Sequence, residues 1–231
     1  MDIPWHENRK PFYQVCHGVF GRKMIVSNRL VIKTPEEAIE ELNNALPVHN
    51  QNRREIDYLY HYVSGDQTIL YRKKDVRPEI KNDIVENHAL EINRFMTAQN
   101  YGEPIQYVSV DSNEEKSKAV DQLNKYMKSR SKDFHDIVLG DWQSTCGTAY
   151  REIWSYKREE VDKGEPLFDF CSPDPRYNFI IYSKGKGNPP LMSVSIQKDE
   201  KGRTIYYCTT KAFVWCIRDS KVVAEEASVN G

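Results

Sequence analysis

The period of the apolar residues changes near residue 148, and no other feature constrains the fold as much. Before that point apolar side chains recur at intervals of three and four; after it they alternate. The first pattern suits amphipathic helices and the second suits strands with one buried face. Helices followed by segregated strands predict an α+β fold, a helical part packed with a mainly antiparallel β-meander. The expected organisation is an N-terminal arm over 1–33, a helical part over 34–148 and an antiparallel β part over 149–231.

Val19 to Ile32, with Gly18 and Gly21 nearby, predicts short strands or an arm. Thr34-Pro35-Glu36-Glu37 then opens a helix. Thr34 suits the N-cap, Pro35 the first helical position, and Glu37 closes a capping box. Ala38, Ile39, Leu42 and Ala45 make its apolar stripe, and Pro47 is expected to end it. A second helix is expected over 51–64, with Ile56, Leu59, Tyr60 and Val63 on one face and Gly65 after it. A third, over 82–99, carries Val85, Ala89, Ile92 and Met96 as an inward stripe widened by Phe95. Pro104 to Val110 predicts a strand. A fourth helix starts at Asp111–Glu114 with Ala119, Leu123, Tyr126 and Met127 inward. A fifth spans 133–148, with Phe134, Ile137, Val138, Trp142 and Cys146 inward. Gly140 weakens that helix by ~1 kcal/mol relative to alanine.

From Ala149 onward, Tyr150, Glu152, Trp154 and Tyr156 alternate with Arg151, Ile153 and Ser155. Further strands are expected at 167–171, 178–183, 191–197, 203–209 and 212–218. Asp199-Glu200-Lys201-Gly202 forms a hairpin turn, and a last short strand lies at Lys221-Val222-Val223.

Composition narrows the function classes. The 231 residues contain 29% charged residues, and 14 Tyr, 8 Phe and 4 Trp supply core material. A formal net charge of −1 gives the whole chain no electrostatic footprint for wrapping DNA. No apolar run approaches the ~18 residues of a membrane span, and the start, Met1-Asp2-Ile3-Pro4-Trp5, does not read as a signal peptide. Five irregularly spaced cysteines predict free, mostly buried thiols in a reducing cytosol.

No catalytic constellation emerges. Cys16-His17 with His6, and the pair Cys208 and Cys216, lack the close spacing of a zinc site. Cys208 and Cys216 are expected as buried thiols on neighbouring strands. His135 and Cys146 lie 11 residues apart on one helix, roughly 16 Å of rise, too far for a nucleophile–base pair. Asp133 nearby does not change this. An enzyme using Cys146 or Cys171 remains a minor alternative without a substrate. Lys184-Gly185-Lys186-Gly187-Asn188-Pro189 lacks the spacing and following helix of a phosphate-cradling loop and predicts a solvated turn. The densest basic cluster is Tyr71-Arg72-Lys73-Lys74 with Arg77. These residues are candidates for a nucleic-acid or subunit contact, with Tyr71 stacking on a base, but Asp66, Asp75 and Glu79 weaken its field. No cofactor or metal is expected. Trp142, Trp154 and Trp215 are expected as core or interface anchors. Tyr58, Tyr62 and Tyr101, off the apolar stripes, suit packing against another protein.

An ordered series of loose motifs runs from Glu55 to Ser195. Ile56-Asp57-Tyr58-Leu59-Tyr60 is followed by Gly65-Asp66-Gln67 and Ile69, then by Arg77-Pro78-Glu79-Ile80-Lys81-Asn82 and Ile84-Val85-Glu86-Asn87-His88-Ala89. Tyr101-Gly102-Glu103-Pro104-Ile105-Gln106-Tyr107 and Gly147-Thr148-Ala149-Tyr150-Arg151-Glu152 come next. Ser172-Pro173-Asp174-Pro175 with Phe179-Ile180-Ile181-Tyr182 closes the series. In order and spacing the chain resembles the portal proteins of long-tailed double-stranded-DNA phages. The resemblance implies a non-enzymatic structural component of a homo-oligomeric ring at one capsid vertex, through which DNA is packaged and ejected. It implies a virion location, assembly in the host bacterial cytoplasm, and capsid and scaffolding proteins as partners. Such portals continue into stem, clip and crown. This chain is expected to correspond to the peripheral wing, with terminase and head-tail adaptor docking through regions it lacks. By itself it is expected to be monomeric or to associate weakly. The alternative is a nucleic-acid-binding module using the Tyr71–Arg77 strip.

Overall fold

The computed structural model describes residues 12–17, 23–71, 76–80, 84–110, 114–156, 159, 161–162 and 164–227. Helix α1 (Pro35–Val63) begins where the capping box marks it. The Glu37 amide donates to Thr34 Oγ1 at 3.3 Å, and Glu37 Oε2 accepts from the amides of Thr34 and Lys33 at 3.4 and 2.8 Å. Those amide bonds lower the Glu37 carboxyl pKa. Arg29, just ahead of the helix, donates Nε to Glu41 and Nη1 to Glu37, both at 3.0 Å, and Nη2 to Glu40. One guanidinium thus ties three carboxylates of the first turns to the incoming chain.

Pro47 does not end this helix, contrary to the sequence expectation, and one helix replaces the two expected up to Ser64. A proline inside a helix costs ~3 kcal/mol. Here Ala45 and His49 are buried on either side of it, so packing holds the backbone helical through a residue whose propensity opposes it.

The chain forms two compact units. The first comprises 1–15, 19–53 and 150–231, and contains most of the buried apolar side chains. Its centre is a six-stranded sheet of β2 (Val26–Ser27), β5 (Asn178–Ser183), β6 (Pro190–Lys198), β7 (Thr204–Thr209), β8 (Phe213–Arg218) and β9 (Lys221–Ala227), in that spatial order. Only β2 against β5 is parallel; the rest is the antiparallel meander that alternation predicted. Ala38, Leu42 and Ala45 of α1 join one core cluster with Ile181, Met192, Val194, Cys208, Trp215 and Ile217 of the sheet. The β6–β7 turn forms at Asp199–Gly202. Asp199 Oδ1 accepts from the amides of Lys201 and Arg203 at 2.9 and 2.8 Å, and Gly202 takes a φ of +75°. A smaller sheet has the order β1 (Phe12–His17), β3 (Thr148–Ser155), β4 (Phe168–Cys171). The fold is α+β.

The second unit comprises 16–18 and 54–149. It holds α2 (His88–Tyr101), α3 (Glu114–Ser129), α4 (Lys132–Cys146) and a short 3-10 helix over Thr68–Tyr71. Helix α2 starts later than the expected residue 82 because Asn87 caps it: Oδ1 accepts from the Leu90 amide at 3.2 Å. Asn87 Nδ2 also donates to the Val63 carbonyl at 2.8 Å. Residues 104–110, expected as a strand, belong to no strand. Helix α4 ends at Gly147, whose φ of +65° turns the backbone into β3.

Candidate interaction surface

Apolar periodicity places Ile92, Phe95 and Met96 on the buried face of α2. The structure reverses this: Ile92 is 64% exposed, Phe95 62% and Met96 48%, while Asn93 and Thr97 are buried. Helix α4 shows the same departure, with Phe134 and Ile137 exposed and Lys132, Asp136 and Thr145 buried. The reason is a polar seam between the two helices. Asn93 Nδ2 donates to Asp141 Oδ1 at 2.7 Å and lies 2.9 Å from Thr145 Oγ1. Lys132 and Asp136 form a buried ion pair one turn apart on α4. The hydrogen bonds from Asn93 to Asp141 and Thr145 fix the register of the two helices, and they turn the apolar stripe of α2 outward.

The seam is incompletely satisfied. Asn93 Oδ1 and Thr97 Oγ1 are buried without a hydrogen-bond partner. Beside them lies a groove of about 380 Å³ lined by Thr97, Asn100, Tyr101, Gln143, Ser144 and Met96. None of these side chains is charged. Gly140 also lines the groove, and it explains a residue that helix propensity disfavours. A Cβ at 140 would sit 2.3 Å from Tyr101 Cδ2, so only glycine lets that ring lie against α4. The ring is placed further by its hydroxyl, 3.4 Å from Gln143 Oε1. Gly140→Ala is expected to lower stability by ~1–3 kcal/mol through overpacking, against a propensity gain of ~1 kcal/mol. A rise in the thermal midpoint would reject this account of Gly140.

Sequence patterning missed Asn93 and Thr97 because it ranks positions by apolarity. The available signal was two polar pairs at i, i+4: Asn93 with Thr97, and Asp141 with Thr145.

Residues 104–110 form a second surface of the same unit. Asn124 of α3 holds their middle: its Nδ2 donates to the Tyr107 carbonyl at 2.8 Å and its Oδ1 accepts from the Tyr107 amide at 3.0 Å. A carboxamide here does what a neighbouring strand's backbone does. Tyr107 and Ser109 are half-buried, whereas Val108 is 79% exposed and Val110 99%.

Of the basic strip, Arg72, Lys73 and Lys74 lie outside the described residues. Tyr71 ends the 3-10 helix and is 71% exposed. Its hydroxyl donates to Asp66 Oδ1 at 2.5 Å, which raises its pKa. Asp66 also lies 3.5 Å from His61 Nδ1. Arg77 is exposed, with a φ of +55°.

Among the described residues, reactive groups are not gathered elsewhere. Cys208 and Cys216 are buried on adjacent strands as free thiols. Burial raises both pKa values, that of Cys216 to about 11, which keeps them protonated at neutral pH. Cys146 is buried, with Sγ 3.9 Å from the Ile56 carbonyl. Among the described residues, no three His, Cys, Asp or Glu side chains are grouped to hold a metal ion. No described helix is long and apolar enough to cross a membrane.

A family model described as phage portal protein, SPP1 Gp6-like, matches residues 42–229. No curated protein matches the chain.

Proposed function

We propose that this chain, which belongs to the SPP1 Gp6-like family of phage portal proteins, forms the wing of a portal ring at one vertex of a phage capsid. The family is a structural one, tied to the head-tail connection and DNA packaging. The observation that carries the reading is the reach of the match, 42–229, from within α1 to the last strand of the meander. A fold of helices and a sheet, with a large unit built on an apolar core and a smaller one presenting apolar side chains to solvent, suits an assembly component better than an enzyme. In this reading the chain acts without catalysis. It packs against copies of itself and against capsid and scaffolding proteins, while DNA passes through the ring.

Interrupting the reading frame in a phage that encodes it is expected to yield capsids without packaged DNA. Supplying the uninterrupted gene in trans is expected to restore filled heads. Normal numbers of filled heads from the interrupted phage would reject the portal role.

The exposure of Tyr71 favours a second reading, in which the strip from Tyr71 to Arg77 contacts DNA or a neighbouring subunit. For DNA it predicts binding that weakens steeply with added salt and falls on Tyr71→Ala. No DNA mobility shift at low salt would remove it.

A further inference from the structure

We propose that the groove between α2 and α4 receives residues 104–110 of a second copy of this chain, making a head-to-tail contact. The inference rests on the portal reading for the identity of the partner as another copy, and on the following geometry for the place.

Thr97 lines the groove, and its Oγ1, like Asn93 Oδ1 beside the groove, is buried with no hydrogen-bond partner within the chain. Buried polar atoms without partners are uncommon, because each forfeits its hydration. Ile92, Phe95 and Met96 form an apolar ridge on the same helix, held outward by the seam and unable to turn inward without breaking it. An occupant that meets Met96 on one side and the carboxamides of Asn100 and Gln143 on the other is apolar on one side and able to hydrogen-bond on another. It must also be uncharged, since no cation lines the groove to meet a phosphate or a carboxylate.

Residues 104–110, Pro-Ile-Gln-Tyr-Val-Ser-Val, have that chemistry. They carry no charge and show the alternation of a strand, but they join no sheet. Their outward side presents Val108 and Val110. Asn124 already demonstrates how this backbone is recognised, by a carboxamide bonding both to N–H and to C=O. Asn100 and Gln143 offer the same group in the groove. Extended peptides are commonly bound in this way, with main-chain bonds for affinity and alternate side chains for fit. Groove and segment are different surfaces of one chain, so their union is heterologous, and a heterologous contact that closes generates a ring.

The test uses sedimentation equilibrium of the whole chain over a concentration series, with Met96→Asp disabling the groove and Val108→Asp disabling the segment. Met96 lines the groove, both side chains are exposed, and unchanged circular dichroism and thermal midpoints will establish that each variant folds. The wild-type chain is expected to associate as concentration rises. Each variant alone is expected to need ~30-fold higher concentration, the loss typical of a central interface residue. A one-to-one mixture of the two is expected to form a pair and stop there, because one good groove meets one good segment. Wild-type association that survives either substitution overturns the proposal, as does a mixture that does not pair. A wild-type chain that stays monomeric also overturns it. That result, alongside empty capsids from the interrupted phage, would leave the portal role standing.

Discussion

Trp215→Ala is expected to lower the unfolding free energy by about 3–5 kcal/mol, the range for removing a large aromatic side chain from a packed core. Trp215 is 0% exposed and lies in the cluster that joins α1 to the six-stranded sheet. Its ring stacks on Phe213 at 5.2 Å, and its backbone pairs with Cys208 on β7 and Glu225 on β9. Truncation leaves a cavity bounded by hydrogen-bonded strands, which cannot collapse to fill it. Domains of this kind are stable by only ~5–15 kcal/mol, so the loss takes a large share. The indole Nε1 is buried without a partner, so Trp215→Phe removes an unsatisfied donor along with part of the volume. It should cost clearly less than the alanine variant. Urea denaturation with matched m-values measures both. An alanine variant within 1 kcal/mol of the wild type would mean that the core is not centred there.

Acid is expected to weaken the protein through His49 between pH 6.5 and pH 4. The ring is buried, stacks on Phe179 at 4.2 Å, and donates from Nε2 to the Arg176 carbonyl at 3.1 Å. That bond makes Nε2 the protonated nitrogen of the neutral ring. Burial pushes the pKa from 6.5 down to about 4, and the charge of Arg53 adds to this against the raising effect of the carbonyl. The folded state thus resists a proton that the unfolded state accepts. Stability is complete above pH 6.5 and falls as pH drops toward 4, at up to ~1.4 kcal/mol per pH unit and roughly 3 kcal/mol in all. Glu37 and Asp199, whose pKa values are lowered, add their losses at more acidic pH. His49→Gln keeps an amide donor and removes the titration. The stability difference between wild type and variant should therefore shrink or change sign between pH 7 and pH 4.5. A difference that stays constant across that range would show that His49 does not titrate as described.

The meander was the most legible part of the chain. Strands β5 to β9 fall within a few residues of their expected places, because alternation, glycine and Asx turns and hairpin pairing are all local signals. Asp199–Gly202 and the Thr34–Glu37 capping box are settled by residues a few positions apart. Cys208 and Cys216 were placed as buried neighbours for the same reason. Pro47 was misread because a local penalty was outweighed by burial of Ala45 and His49, which contact partners far along the chain.

The candidate surface was hardly legible. Nothing in the apolar period of α2 reveals that Asn93 faces Asp141 and Thr145, 48 and 52 residues away. Residues 104–110 have a strand's composition, but a strand needs a neighbouring strand, and the described fold sets the Asn124 side chain against Tyr107 instead.

By itself, the sequence determined the fold class and most of the elements, because helix and strand periods, caps and turns act over a few residues. The order of its motifs also pointed to the portal family. Only the tertiary structure decided which faces of those elements are covered. Burial depends on what packs opposite, and in α2 a polar seam outweighed the apolar stripe and left that stripe facing solvent.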